Sequence, residues 1–136
     1  MNEDKQAGAA GKERWAVDYL SDTRMIAVTG AGPIADADAK RQSEQAIRLL
    51  NETRAERVLV DYGEALSDVS FAVLYWLPRF YRQLGAPAPT RIALVVPRDP
   101  RQVESFQFYA LACRNAGYNV KLFGSRKAAE EWLRAN

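Results

Sequence analysis

The chain has 136 residues, room for one domain with one core. Its composition, 48% hydrophobic and 26% charged, is that of an ordinary globular protein, and a formal net charge of only +2 argues against nucleic acid as a partner. With no histidine and a single cysteine, it lacks the commonest general base and metal ligand and cannot close an internal disulfide. No metal and no cofactor are expected.

Met1 to Lys12 is polar and rich in Gly and Ala, and reads as a flexible tail ahead of one domain spanning residues 13–136. It has no apolar centre that could serve as a signal peptide, and no apolar run approaches the roughly 20 residues needed to cross a bilayer. A cytoplasmic protein is expected, with peripheral membrane contact as the exception left open.

Trp15, Val17 and Tyr19 alternate with Ala16 and Asp18, the pattern of a strand with one protected face. The turn Ser21-Asp22-Thr23-Arg24 and the apolar run Met25–Val28 complete an antiparallel hairpin. Gly30-Ala31-Gly32-Pro33 reads as a tight strand-to-helix turn. A helix from about Asp36 to Thr53 follows, with Asp36 and Asp38 early, as the helix dipole prefers. Val58-Leu59-Val60 is the third strand, and a loop from Tyr62 to Asp68 leads to a second helix between Ser70 and Gly85. Ala86-Pro87-Ala88-Pro89 forces an extended connection to the continuous apolar strand Ile92–Val96, which has the composition of a strand buried on both faces. Asp99 and Pro100 open a third helix that Gly117 closes. Val120, Leu122 and Phe123 form the last strand, and Ser125 caps a terminal helix carrying Ala129, Trp132 and Leu133. The expected fold is α/β: a mixed five-stranded sheet, its first strand antiparallel at the edge, followed by parallel strand–helix units joined by right-handed crossovers.

This order resembles the SpoIIAA-like fold of STAS domains, and more closely the small bacterial SpoIIAA-like proteins of the STAS/CRAL-TRIO type. The resemblance rests on Val58-Leu59-Val60-Asp61, Leu77-Pro78-Arg79, Arg91–Val95, Phe106-Gln107-Phe108-Tyr109, Arg114–Tyr118 and Trp132-Leu133, over about residues 14–134. It implies a movable helical region and binding of apolar ligands or membrane surfaces. STAS regulators of the anti-sigma-factor-antagonist type carry Asp-Ser-Ser-Gly after the third strand. Here Asp68-Val69-Ser70-Phe71 stands in that place, with Val69 where the phosphoacceptor serine belongs. Ser70 is the candidate regulatory position, although a helix N-cap explains it as well.

Between Val69 and Leu84, Val73, Trp76, Leu77 and Phe80 gather on one side at 100° per residue, while Phe71, Tyr75 and Pro78 fall opposite, beside Arg79 and Arg82. On the third helix Phe108 and Leu111 lie off the side carrying Val103, Phe106, Ala110 and Cys113. Either these side chains pack between the two helices, or they form an outer apolar surface flanked by arginines. Gly30-Ala31-Gly32 is a poor dinucleotide fingerprint: the third glycine is missing, and Asp61 lies beyond the roughly 20 residues that separate such an acid from the motif. Asp61, Glu64 and Asp68 have no nucleophile or basic partner at a recognisable spacing, so they read as loop-capping groups and no catalytic residue is assigned.

The expected function is a non-catalytic binding module. Phe71, Tyr75, Pro78, Arg79, Arg82, Phe108 and Leu111 would receive an apolar or lipid-like molecule, a membrane surface or a second copy of the chain as a dimer. The alternative is a STAS-type protein-interaction regulator acting through the loop from Gly63 to Ser70, with Ser67 or Ser70 modified.

Overall fold

The computed structural model describes residues 15–135; the tail expected at Met1 to Lys12 lies outside them. Strand β1 (Trp15–Leu20) pairs antiparallel with β2 (Met25–Ile34), in a register running from Trp15↔Gly30 to Leu20↔Met25. Arg24, left-handed at φ 57°, tightens the hairpin by donating its N–H to the Leu20 carbonyl at 2.7 Å. The chain continues through α1 (Asp36–Thr53), β3 (Arg57–Ser67), α2 (Phe71–Gln83), β4 (Arg91–Val95), α3 (Val103–Asn115), β5 (Asn119–Phe123) and α4 (Arg126–Arg134). Asp99 and Pro100 open a short 3-10 turn, Pro100–Gln102, and α3 begins only after it.

The five strands lie in sequence order, with β2 to β5 parallel. Right-handed crossovers that all step in one direction must place their helices on one face of the sheet, which is where α1, α2 and α3 pack. The last helix has no following strand to reach. It folds onto the opposite face, where Ala129 and Leu133 cover Met25, Leu59, Ala93 and Val95. Under the three-helix face, Ile26, Val58, Ile92 and Val120 stand side by side in register, all buried.

Two expectations at the ends of strands need correction. Gly30-Ala31-Gly32-Pro33 is not a turn and Tyr62–Ser67 is not a loop, because β2 and β3 run on together. The pairing steps from Thr29↔Asp61 to Ala31↔Glu64, so β3 carries one extra residue there and bulges at Tyr62-Gly63. Pro33 lies beyond the described pairing of β1 with β2, which ends at Trp15↔Gly30. Gly30 packs closely on Tyr62: a Cβ there would sit 3.0 Å from Tyr62 Cε1, so the ring would have to shift.

Candidate functional site: a cavity beneath the second helix

Helix α2 sits differently from its neighbours. Its close backbone neighbours are α3 and α1, and it stands off the strands, whereas α1 lies close to β1 and β2 and α3 to β5. The space beneath is a cavity of about 100 Å³. Val28, Val60 and Leu94 form its floor, Leu74 and Leu77 its roof, and Ala46 and Phe106 belong to its sides. The lining is almost wholly apolar and contains no Lys, Arg, Asp or Glu.

Its polar side chains come from α1, α2, α3, β3 and the connections before β4 and β5. Gln42 and Ser43 lie in the apolar stripe Ala39, Ala46, Ile47, Leu50 on the inward face of α1, and both are buried. The Ser43 hydroxyl donates to the Ala39 carbonyl at 2.8 Å. The Tyr62 hydroxyl donates to Gln42 Oε1, while Gln42 Nε2 is buried and finds no partner. Tyr81 and Tyr109 share a hydrogen bond between their hydroxyls at 2.5 Å. At the far end the Tyr118 hydroxyl donates to the Ala86 carbonyl at 3.0 Å.

Burial raises the Tyr62, Tyr81 and Tyr109 phenols well above their ordinary range, so all three stay neutral. Burial likewise pushes the Cys113 thiol up to about 12, against a bonding contribution from Tyr109 that lowers it. A thiol so placed is no nucleophile at neutral pH.

Sequence reasoning placed the site on the outer side of α2, and the side chains named there divide. Phe71, Tyr75 and Leu111 are exposed by 52%, 51% and 53%. Phe108 is half-buried and meets Phe71 edge-on, with ring centroids 5.1 Å apart, so α2 and α3 share an apolar outer seam. Pro78 does not belong to it. It is fully buried, because the inward face of α2 is turned from the expected direction and centres on Leu74, Leu77 and Pro78. Trp76 and Phe80, expected in the core, are left half-buried and stacked on each other at 4.5 Å.

The arginines are occupied within the chain. Arg79 folds back over the Tyr75 ring at 4.0 Å and donates to the Tyr75 hydroxyl at 2.6 Å. Arg82 donates to the Ala116 carbonyl at the end of α3, at 2.6 Å. Ser70 is the N-cap of α2, its hydroxyl accepting from the Val73 N–H at 3.2 Å. Asp61 receives the Gly63 N–H at 3.0 Å and faces Arg126 at 3.6 Å, and Glu64 pairs with Arg98 at 3.0 Å. Asp68 is exposed. Among the described residues no cluster of His, Cys, Asp or Glu could hold a metal ion, and no helix is long and apolar enough to cross a membrane.

No protein-family model matches the chain, and no curated protein matches it significantly. Among solved structures it is similar to that of an uncharacterized protein of the DUF3478 family from Shewanella loihica PV-4, described as having a SpoIIAA-like fold. The TM-score is 0.54 at 15% identity, over 88% of this chain and 91% of that one. This chain has a SpoIIAA-like fold. The fold is the one that the resemblance named. At that identity it carries architecture only, so any function has to be argued from the cavity and the seam.

Two polar residues of the cavity, Gln42 and Ser43, were not singled out from sequence. Their signal was present: both fall within the stripe Ala39, Ala46, Ile47 and Leu50 that turns toward the sheet, where a polar side chain must find either a partner or a ligand.

Proposed function

We propose that this chain is a non-catalytic binding module that encloses a small apolar ligand between its sheet and α2. The observation that carries this reading is the cavity of about 100 Å³ beneath a helix that rests on its two flanking helices and stands away from the strands. A close-packed interior leaves few voids larger than a water molecule, and those lined by aliphatic and aromatic groups stay dry and accept apolar guests. Helix α2 is also the element best placed to admit a ligand. Gly85, left-handed at φ 88°, and Pro87 and Pro89 end it in a connection with no regular structure, and Pro78 removes one hydrogen bond within it. Tyrosines and a thiol all held neutral give no acid–base pair for catalysis, which favours binding without chemistry.

Xenon uptake followed by NMR tests this. Wild type is expected to take up xenon at amides around Leu94 and Leu77, and Ala46→Leu, which fills the cavity, is expected to stay folded and lose the uptake. Equal uptake by both proteins, or none by wild type, refutes the reading.

The exposed Phe71, Tyr75 and Leu111 favour a second reading of the same module, in which the seam of α2 and α3 rests on an anionic membrane surface with Arg79 and Arg82 at its border. Flotation with phosphatidylserine-containing vesicles should carry wild type and leave Phe71→Glu/Tyr75→Glu behind. If both float equally, or if the double variant differs only in becoming monomeric, the seam does not serve a membrane.

A further inference from the structure

The cavity carries one feature that a purely apolar guest would leave unused. Gln42 is 4% exposed, its Oε1 is taken by the Tyr62 hydroxyl, and its Nε2, a two-proton donor, is buried without an acceptor. A buried donor left unpaired carries the full cost of its lost hydration, so such a group in a folded chain calls for an explanation. The hydroxyls of Ser43, Tyr81 and Tyr109 keep free lone pairs, but none makes a hydrogen bond with Nε2.

We infer that the cavity takes a small, uncharged ligand bearing a carbonyl-type acceptor, a ketone, aldehyde or amide, whose oxygen meets Gln42 Nε2. This rests on the enclosed-ligand reading above and adds the ligand's chemical class. Charge is excluded by the lining, which offers no cation to a carboxylate and no anion to an amine. The tyrosines kept neutral by burial mark the same low-dielectric surroundings. Size follows from volume: a cavity of about 150 Å³ holds benzene, so about 100 Å³ suits roughly four or five non-hydrogen atoms with α2 where it stands. A longer apolar chain would need α2 to lift.

The test compares butanone with 2-methylbut-1-ene, the same shape with a methylene in place of the oxygen, and with butyrate as the charged probe. Xenon reports whether the cavity is accessible at all. The variants are Gln42→Leu/Tyr62→Phe, which removes donor and acceptor together so that neither is orphaned, and Tyr62→Phe alone, which keeps the amide donor. In wild type, butanone should shift the Gln42 side-chain NH₂ resonances and the alkene should not, and butyrate should fail to bind. The ratio of butanone to alkene affinity should fall roughly three- to tenfold in the double variant, the worth of one hydrogen bond, and hold in Tyr62→Phe. An unchanged ratio in the double variant, unmoved Gln42 NH₂ signals, or butyrate binding as well as butanone overturns the inference while xenon uptake leaves the cavity itself standing. Exclusion of xenon and both neutral probes from wild type overturns both.

Discussion

Asp36 holds Ser70 twice. In the first turn of α1, its carboxylate accepts the Ser70 backbone N–H at 2.8 Å and the Ser70 hydroxyl at 3.2 Å, across a separation of 34 residues. Ser70 is at the same time the cap of α2, so one carboxylate fastens the N-terminal end of the cavity's roof to α1. Ser70→Ala should cost about 1 kcal/mol, as lost N-caps do, and Asp36→Ala a comparable amount. Because both remove the same contact, the double variant should cost less than their sum, by roughly 0.5 kcal/mol or more. Strict additivity in chemical denaturation would mean the two residues do not act together.

Gly30 and Tyr62 set a second constraint. An alanine methyl at Gly30 would meet the ring carbons of Tyr62 at 3.0 and 3.1 Å, and the displaced ring would press into space it already lines. Gly30→Ala should destabilise the fold by about 1–3 kcal/mol, the usual range for overpacking, and reduce xenon uptake. Gly30→Ala/Tyr62→Leu should recover part of the loss. If Gly30→Ala melts with wild type, the close approach is not a constraint.

Alkaline pH should unfold the protein earlier than neutral pH. Cys113 is raised from 9.0 to about 12, and Tyr62, Tyr81 and Tyr109 are raised too, each chiefly by burial. A group with a raised folded value keeps its full stabilising effect below its unfolded value and loses it as pH climbs toward the folded one. Stability should therefore be insensitive to these groups below about pH 8, then fall above pH 9 by about 1.4 kcal/mol per pH unit for each group ionised only in the unfolded chain. Urea midpoints at pH 8 and pH 10.5 measure this, and equal midpoints would contradict it.

Arg91 closes the last helix. Its guanidinium donates to the Trp132 carbonyl at 2.6 Å and the Ala135 carbonyl at 2.5 Å, and stacks 4.3 Å from the Trp132 ring centroid. These bonds satisfy carbonyls that the helix end leaves open. Arg91→Ala should speed hydrogen exchange in α4 by roughly tenfold, the equivalent of about 1.4 kcal/mol, and Arg91→Lys should not restore protection, since an ammonium lacks the planar fork. Unchanged exchange over Arg126–Arg134 would rule the role out.

The sequence by itself determined the types and order of the strands and helices, though not where β2 and β3 end. Alternation at Trp15, Val17 and Tyr19, the apolar run at Ile92–Val95, and caps at Ser70, Ser125, Gly85 and Gly117 are local signals, and a sheet wound in one direction follows from parallel crossovers. Helical periodicity set Phe71 and Tyr75 off the core-facing side of α2 and Leu111 off that of α3, but left open whether they were exposed, which the structure decides. Only tertiary structure decided how each face was turned and what it met. Glycine and proline between Gly30 and Pro33 read as a turn until β3 supplied a partner and Tyr62 a reason for Gly30. Pro78 shared a helical face with Phe71 and Tyr75 in sequence, yet it alone of the three is fully buried. The cavity has no signature along the chain, since it is the space left when three helices pack side by side on a twisted sheet and the middle one is held up by its neighbours.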